Sequence, residues 1–136
     1  MARPYSQVID RLRTAGLRPT RQRLALAKLL FESGGRHITA EMLHAEALSA
    51  SIRISLATVY NNLHQFTDVG LLREIIVDAS RSYFDTNTGD HHHFFFEGSG
   101  QVEDIPDADI QISRLPQPPS GSKIKRVDVV VRVEKQ

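Results

Sequence analysis

Leu56, Val59, Leu63 and Phe66 are spaced 3, 4 and 3 residues apart, a single apolar stripe on a helix that Ser55 can cap and Gly70 can stop. It is the last of four such segments. Residues 5–15 put Val8, Ile9 and Leu12 at helical spacing and end at Gly16. Leu17-Arg18-Pro19-Thr20 interrupts the chain, and Thr20 caps a second helix that runs to about Ser33. Leu24, Ala27, Leu30 and Phe31 form its inward side, and Gly34-Gly35 ends it. His37-Ile38-Thr39 opens the third helix, with Thr39 as cap and Glu41 in the first turn, where an acid suits the helix dipole. Met42, Leu43, Ala47 and Leu48 supply its apolar side, and Ile52-Arg53-Ile54 alternates like a very short strand. After Gly70, residues 71–77 and 83–86 read as two strands joined by a polar tip. Helices that end in a hairpin make a winged helix-turn-helix pattern, with 39–49 as positioning helix and 55–69 as recognition helix.

Asn87-Thr88-Gly89-Asp90 breaks the composition and marks a hinge. Beyond it lie strand-like runs at 91–96 and 101–105, a stretch carrying Pro106, Pro116, Pro118 and Pro119, and a final alternating run with Val127, Val129, Val131 and Val133 on one face. About 50 residues cannot bury enough apolar surface to be stable alone, so this half should dimerise. The expected fold class is α+β, with a winged helix-turn-helix DNA-binding domain over residues 1–86 and a small C-terminal α/β dimerisation and sensing domain over 87–136. No run approaches the length of a membrane span, and no apolar stretch follows the first six residues as in a signal peptide. The chain has no cysteine, which permits a reducing cytoplasm and leaves His, Asp and Glu as the only metal ligands. Nitrogen and oxygen donors favour first-row divalent ions.

Charge is unevenly spread. Residues 1–36 hold eight arginines and lysines against two acids, whereas the rest holds nine against fourteen. A basic first third on a near-neutral chain suits a local polyanion contact. Arg18, Arg21 and Arg23 sit where two helices meet and would reach phosphates or a narrow minor groove. On the recognition helix, Ser55, Thr58, Asn61 and Asn62 lie opposite the apolar stripe with Tyr60 at the edge, short hydrogen-bonding groups suited to base edges.

Asp90-His91-His92-His93 is the second constellation. On a strand, His91 and His93 point to one side and His92 to the other, so two imidazoles can converge on one ion. Asp85, six residues upstream of His91, can reach the same ion across the hinge. Metal or haem ligation explains three consecutive histidines better than ordinary packing does, whereas His44 and His64 read as surface or packing residues. No His-Glu-x-x-His, Gly-x-Ser-x-Gly or phosphate-binding glycine loop occurs, which argues against an enzyme.

Leu17-Arg18-Pro19-Thr20-Arg21-Gln22-Arg23, His37-Ile38-Thr39-Ala40-Glu41, Leu56-Ala57-Thr58-Val59-Tyr60-Asn61, Tyr83-Phe84-Asp85 and His91-His92-His93, in this order, resemble the ferric uptake regulator (Fur) family. The resemblance implies a dimeric regulator that binds operator DNA and carries a regulatory metal site at its hinge. Within the family, the runs 83–87, 91–95 and 127–132 look most like the iron response regulator (Irr) branch, whose members respond to haem. Carried over by position, the hinge site falls on His37, Asp85, His91 and His93, with Asp104 as a fifth ligand. Haem falls on His91, His92 and His93. The family's second metal site retains His92 and Asp90, but Gln111 and Val127 stand where other ligands would be. The cysteine pair of its structural zinc site reads Phe96-Glu97-Gly98-Ser99, so no structural zinc is expected. For DNA, the family pattern places Arg18 at the minor groove and Tyr60 and Asn61 on the recognition helix; helix geometry adds Ser55 and Thr58.

The reading these features favour is a cytoplasmic regulator of iron homeostasis that binds palindromic double-stranded operators as a homodimer, uses Fe2+ or Mn2+, and responds to haem. A peroxide- or manganese-sensing repressor of the same fold is the nearest alternative. A metal-dependent hydrolase or a haem-storage module is the alternative from another class.

Overall fold

The computed structural model describes residues 6–32 and 34–136. Tyr5 and Ser33, which the sequence places at the ends of the first two helices, lie outside them. The chain divides into two compact units, Met1–Thr88 and Gly89–Gln136.

The first unit runs α1 (Ser6–Thr14), α2 (Arg21–Phe31), β1 (His37–Ile38), α3 (Ala40–Ser49), α4 (Leu56–Asp68), β2 (Arg73–Asp78) and β3 (Arg81–Asp85). Thr20, Thr39 and Ser55 each accept a hydrogen bond from the backbone N–H three residues on, which satisfies an orphan donor at each helix start. Gly16 and Gly70 adopt positive φ just past α1 and α4 and close the last turns. Leu12, Leu26, Leu30, Leu43, Val59, Leu63 and Phe66 are fully buried in one core, joined by Ile38 and Phe84 from the sheet.

Several sequence expectations shift. His37-Ile38 is a strand rather than a helix lead-in: it pairs antiparallel with β3, making a sheet of order β1-β3-β2. Leu26, not Leu24, sits in the centre of the α2 face; Leu24 and Phe31 flank it half-buried. On α3 the buried positions are Ala40, Leu43 and Ala47, whereas Met42 and Leu48 are 45% and 54% exposed. Each lies one residue, or about 100° of helix rotation, off the buried row. Residues 52–54 form no strand. Ser51 takes φ 60°, Ser51 N–H donates to Leu48 and Ile52 N–H to Ala47, so α3 ends in a left-handed cap made without glycine.

The second unit holds β4 (His92–Phe96), β5 (Val102–Ile105), a short 3-10 turn (Asp107–Asp109) and β6 (Val130–Val133). β4 is central, antiparallel to β5 and parallel to β6. The register puts Phe94 beside Val131 and Phe96 beside Val133, and all four are half-buried. The whole is an α+β fold: a winged-helix unit followed by a small sheet unit.

Candidate metal centre and nucleic-acid interface

In the first unit, register sets His37 of β1 directly opposite Asp85 of β3, so both side chains leave the same face. His37 Nε2 lies 3.1 Å from Asp85 Oδ2. Asp85 is 1% exposed, and its Oδ1 accepts the Asn87 N–H at 2.8 Å. A carboxylate this deep persists only with such partners.

In the second unit, β4 and β5 pair His93 with Asp104. His91 and His93 share one side, as alternation requires, and their ring centroids are 4.6 Å apart. Their Nε2 atoms lie 3.1 and 3.2 Å from the same oxygen, Oδ1 of Asp104. His91 Nδ1 is 2.6 Å from the carbonyl of Gly89, to which it can only donate. A neutral His91 therefore turns the lone pair of Nε2 toward a carboxylate oxygen. A cation between the two atoms makes that arrangement favourable. Holding one ring nitrogen through its proton while the other faces the ion is the usual outer support of a metal-bound histidine. Two ligands about 2.1 Å from one ion, at right angles, stand about 3 Å apart. The spacings within each unit match, and the donors are all imidazole and carboxylate, which suits Fe2+ or Mn2+.

His92 is built differently. Val129 N–H donates to its Nδ1 at 3.1 Å, which leaves the proton on Nε2, 3.5 Å from Asp107 Oδ1. Both ring nitrogens are engaged, in the opposite tautomer to His91. So the structure brings His37 to Asp85 and brings His91 and His93 to Asp104, while His92 points elsewhere. The sequence offered no signal for Asp107 or Val129 as partners of His92, because both pairings are long-range or side chain to backbone.

The recognition helix α4 presents Ser55 and Asn61 exposed and Thr58 and Tyr60 half-buried. Ser55 Oγ is occupied by capping Thr58 N–H and lies 2.9 Å from Thr58 Oγ1. Tyr60 donates its hydroxyl to Glu41 Oε1 at 2.7 Å, and that bond raises the phenol above its ordinary 10.0. Asn62 departs from the expected polar face: it is 7% exposed and donates back to the Thr58 carbonyl. Arg18 and Arg21 are exposed at the start of α2. Arg23 is instead tied down, donating to the Arg18 carbonyl at 3.0 Å and to Gln65 Oε1 at 2.9 Å. It joins the start of α2 to the recognition helix, which makes it a brace. Behind these helices, Arg36 donates twice to Glu46 and once to the Leu29 carbonyl, fastening the turn after α2 to α3.

A model of the ferric uptake regulator family matches residues 14–132. The chain belongs to the ferric uptake regulator family. The peroxide-responsive repressor PerR of Staphylococcus aureus is 40% identical to it over 111 residues, 80% of this chain and 74% of that one. The Fur of Pseudomonas aeruginosa, solved with manganese, has a TM-score of 0.71 at 28% identity, covering 93% of this chain and 96% of that one. Vibrio cholerae Fur shares the fold at a TM-score of 0.73 and 24% identity, over 94% and 99% of the two chains. This Fur-family protein is thus a metal-responsive transcription regulator, of a family whose members bind DNA as dimers. Among the described residues, no helix is long and apolar enough to cross a membrane.

Proposed function

We propose that this regulator binds palindromic operator DNA as a homodimer, and that His37, Asp85, His91, His93 and Asp104 together hold one Fe2+ or Mn2+ ion that controls iron-related genes. The observation that carries the reading is the pair of Nε2 atoms of His91 and His93, both at about 3 Å from one oxygen of Asp104. Three donors in one unit and two in the other are each short of the six that manganese prefers. The bound ion supplies two positive charges and a demand for oxygen and nitrogen donors. The chain's own part is to bring the two donor sets together. His37 and Asp85 anchor the winged unit, and the other three anchor the sheet unit, so joining them fixes the angle at which two recognition helices meet an operator. Arg18 and Arg21 supply phosphate or minor-groove contacts, and Tyr60 and Asn61, with Ser55 and Thr58 at the helix start, face the bases. Phe94, Phe96 and Val133 line a cavity of about 600 Å³, and this half-buried apolar face supports dimerisation through the sheet unit. Haem sensing of the Irr type falls on His91, His92 and His93, of which His91 and His93 share one face while His92 accepts the Val129 N–H and faces Asp107. Withdrawing His91 and His93 from the shared set would release the hinge.

The test is operator affinity by fluorescence anisotropy with manganese-loaded protein, before and after one equivalent of haem per monomer. Loss of affinity together with a histidine-type Soret band supports haem control. Binding that needs manganese and ignores haem overturns it and leaves the metal reading. Binding indifferent to manganese overturns both.

Peroxide sensing is the second reading, favoured by the 40% identity to PerR. Mass spectrometry of iron-loaded protein after peroxide separates it: one added oxygen on the peptide holding His37 or His91 supports it, and unmodified peptides overturn it.

A further inference from the structure

Arg73 is the one arginine or lysine among the described residues that is less than a tenth exposed, at 4%. It opens β2, and the register of the winged sheet pairs it directly with Asp85 of β3. Asp85 is in turn paired with His37 on its other side. Directly opposed residues share a face, so His37, Asp85 and Arg73 form one row across three strands, with the carboxylate in the middle. A guanidinium and a carboxylate buried side by side offset one another, whereas either one left alone at that depth carries a heavy desolvation cost.

A divalent ion at the proposed metal site takes the same carboxylate. Asp85 and Asp104 alone neutralise its two positive charges. Arg73 adds a third positive charge beside them, in surroundings where charges are poorly screened. We propose that Arg73 is the internal counter-ion of Asp85 and the ion's built-in competitor. It stabilises the metal-free protein, weakens ion binding, and so sets the free-ion concentration at which the regulator loads. The inference rests on the metal reading above.

A residue that merely supported the fold would loosen the site when lost. Arg73, as a competing charge, does the opposite. Calorimetric titration of the full chain with Mn2+ alone, paired with melting curves, separates the two. Arg73→Met, which keeps length and drops charge, should bind Mn2+ about tenfold tighter, since each tenfold step needs only a small part of the repulsion removed. Its metal-free Tm should fall, and the rise in Tm on adding Mn2+ should exceed that of the wild type. Arg73→Lys should behave as wild type. Equal or weaker Mn2+ binding by folded Arg73→Met overturns the proposal. If Arg73→Met does not fold, Arg73→Met with Asp85→Asn must, because both charges are then gone; failure of that rescue also overturns it. Wild-type protein that binds no Mn2+ overturns the metal reading itself, and competition for the ion with it, whereas a wild type that binds Mn2+ with no gain in Arg73→Met sinks the competitor role alone.

Discussion

Nε2 of His37 and Oδ2 of Asp85 stand 3.1 Å apart on two strands whose register pairs the residues directly, so the half of the proposed ligand set that belongs to the winged unit is set by β-sheet geometry rather than by a loop. Sites carried on strands are held more rigidly than sites on loops. His37→Ala should therefore lower Mn2+ affinity by at least about tenfold, the low end of what even supporting residues contribute, with a fall in metal-free Tm because the buried Asp85 carboxylate loses a partner. Calorimetry on the full chain checks this. An unchanged affinity would remove His37 from the ligand set.

The two arginines at either end of Arg18–Arg23 separate by role. Arg18 is exposed, whereas Arg23 bonds to Arg18's carbonyl and to Gln65. Arg18→Ala should weaken operator binding and flatten the plot of log affinity against log salt by about 1, the signature of one lost phosphate contact. Arg23→Ala should cost about 1 kcal/mol of folding stability through its lost hydrogen bonds and leave the slope nearly unchanged. A reduced slope for Arg23→Ala would show that it leaves Gln65 to meet DNA.

What could be read in advance follows interaction range. The caps Thr20, Thr39 and Ser55 were legible because a cap is decided within three residues. The opposed directions of His91 and His93 against His92 were legible because strand alternation is local. β1 was not: a strand of two residues has no period, and it exists only because β3 arrives some 45 residues later. The end of α3 at Ser49 was legible, but the left-handed cap at Ser51 was not, since that position usually announces itself by glycine. Asn62 read as a surface amide because its return bond to Thr58 looks, in sequence, like any polar position on a helix. Arg73 was invisible as a neighbour of Asp85 for the same reason as β1, because only register sets it there.

The Arg36–Glu46 pair carries a pH dependence of known sign. Hydrogen bonding to Arg36 holds the Glu46 carboxyl below its ordinary 4.5. A depressed acid contributes stability above its unfolded value and loses it as pH falls through the folded value. The pair is partly solvent-exposed, so its contribution is discounted to about 0.5–1 kcal/mol. The stability gap between wild type and Glu46→Gln should be flat from neutral pH down to about 5 and close below the ordinary glutamate value, as read by urea melts at stepped pH. A gap near zero that does not change with pH would mean that Arg36 is held chiefly by the Leu29 carbonyl.

His92 offers the sharpest contrast with its neighbours. It accepts the Val129 N–H and faces Asp107, and so clips both ends of the proline-rich segment 106–129 to β4. His92→Ala deprives a half-buried N–H of its acceptor, at about 1 kcal/mol. It should therefore lower Tm while leaving Mn2+ affinity almost unchanged. His91→Ala and His93→Ala should lose far more Mn2+ affinity than His92→Ala does, because both give up the approach to Asp104 Oδ1; His91→Ala should also lower Tm, since it loses its bond to the Gly89 carbonyl. Three single substitutions in adjacent positions, measured by the same titration and the same melt, thus report whether the triplet works as one cluster or as a metal pair around a structural clip. Equal loss of Mn2+ binding in all three would add His92 to the ligand set and require its bond to Val129 to break on loading.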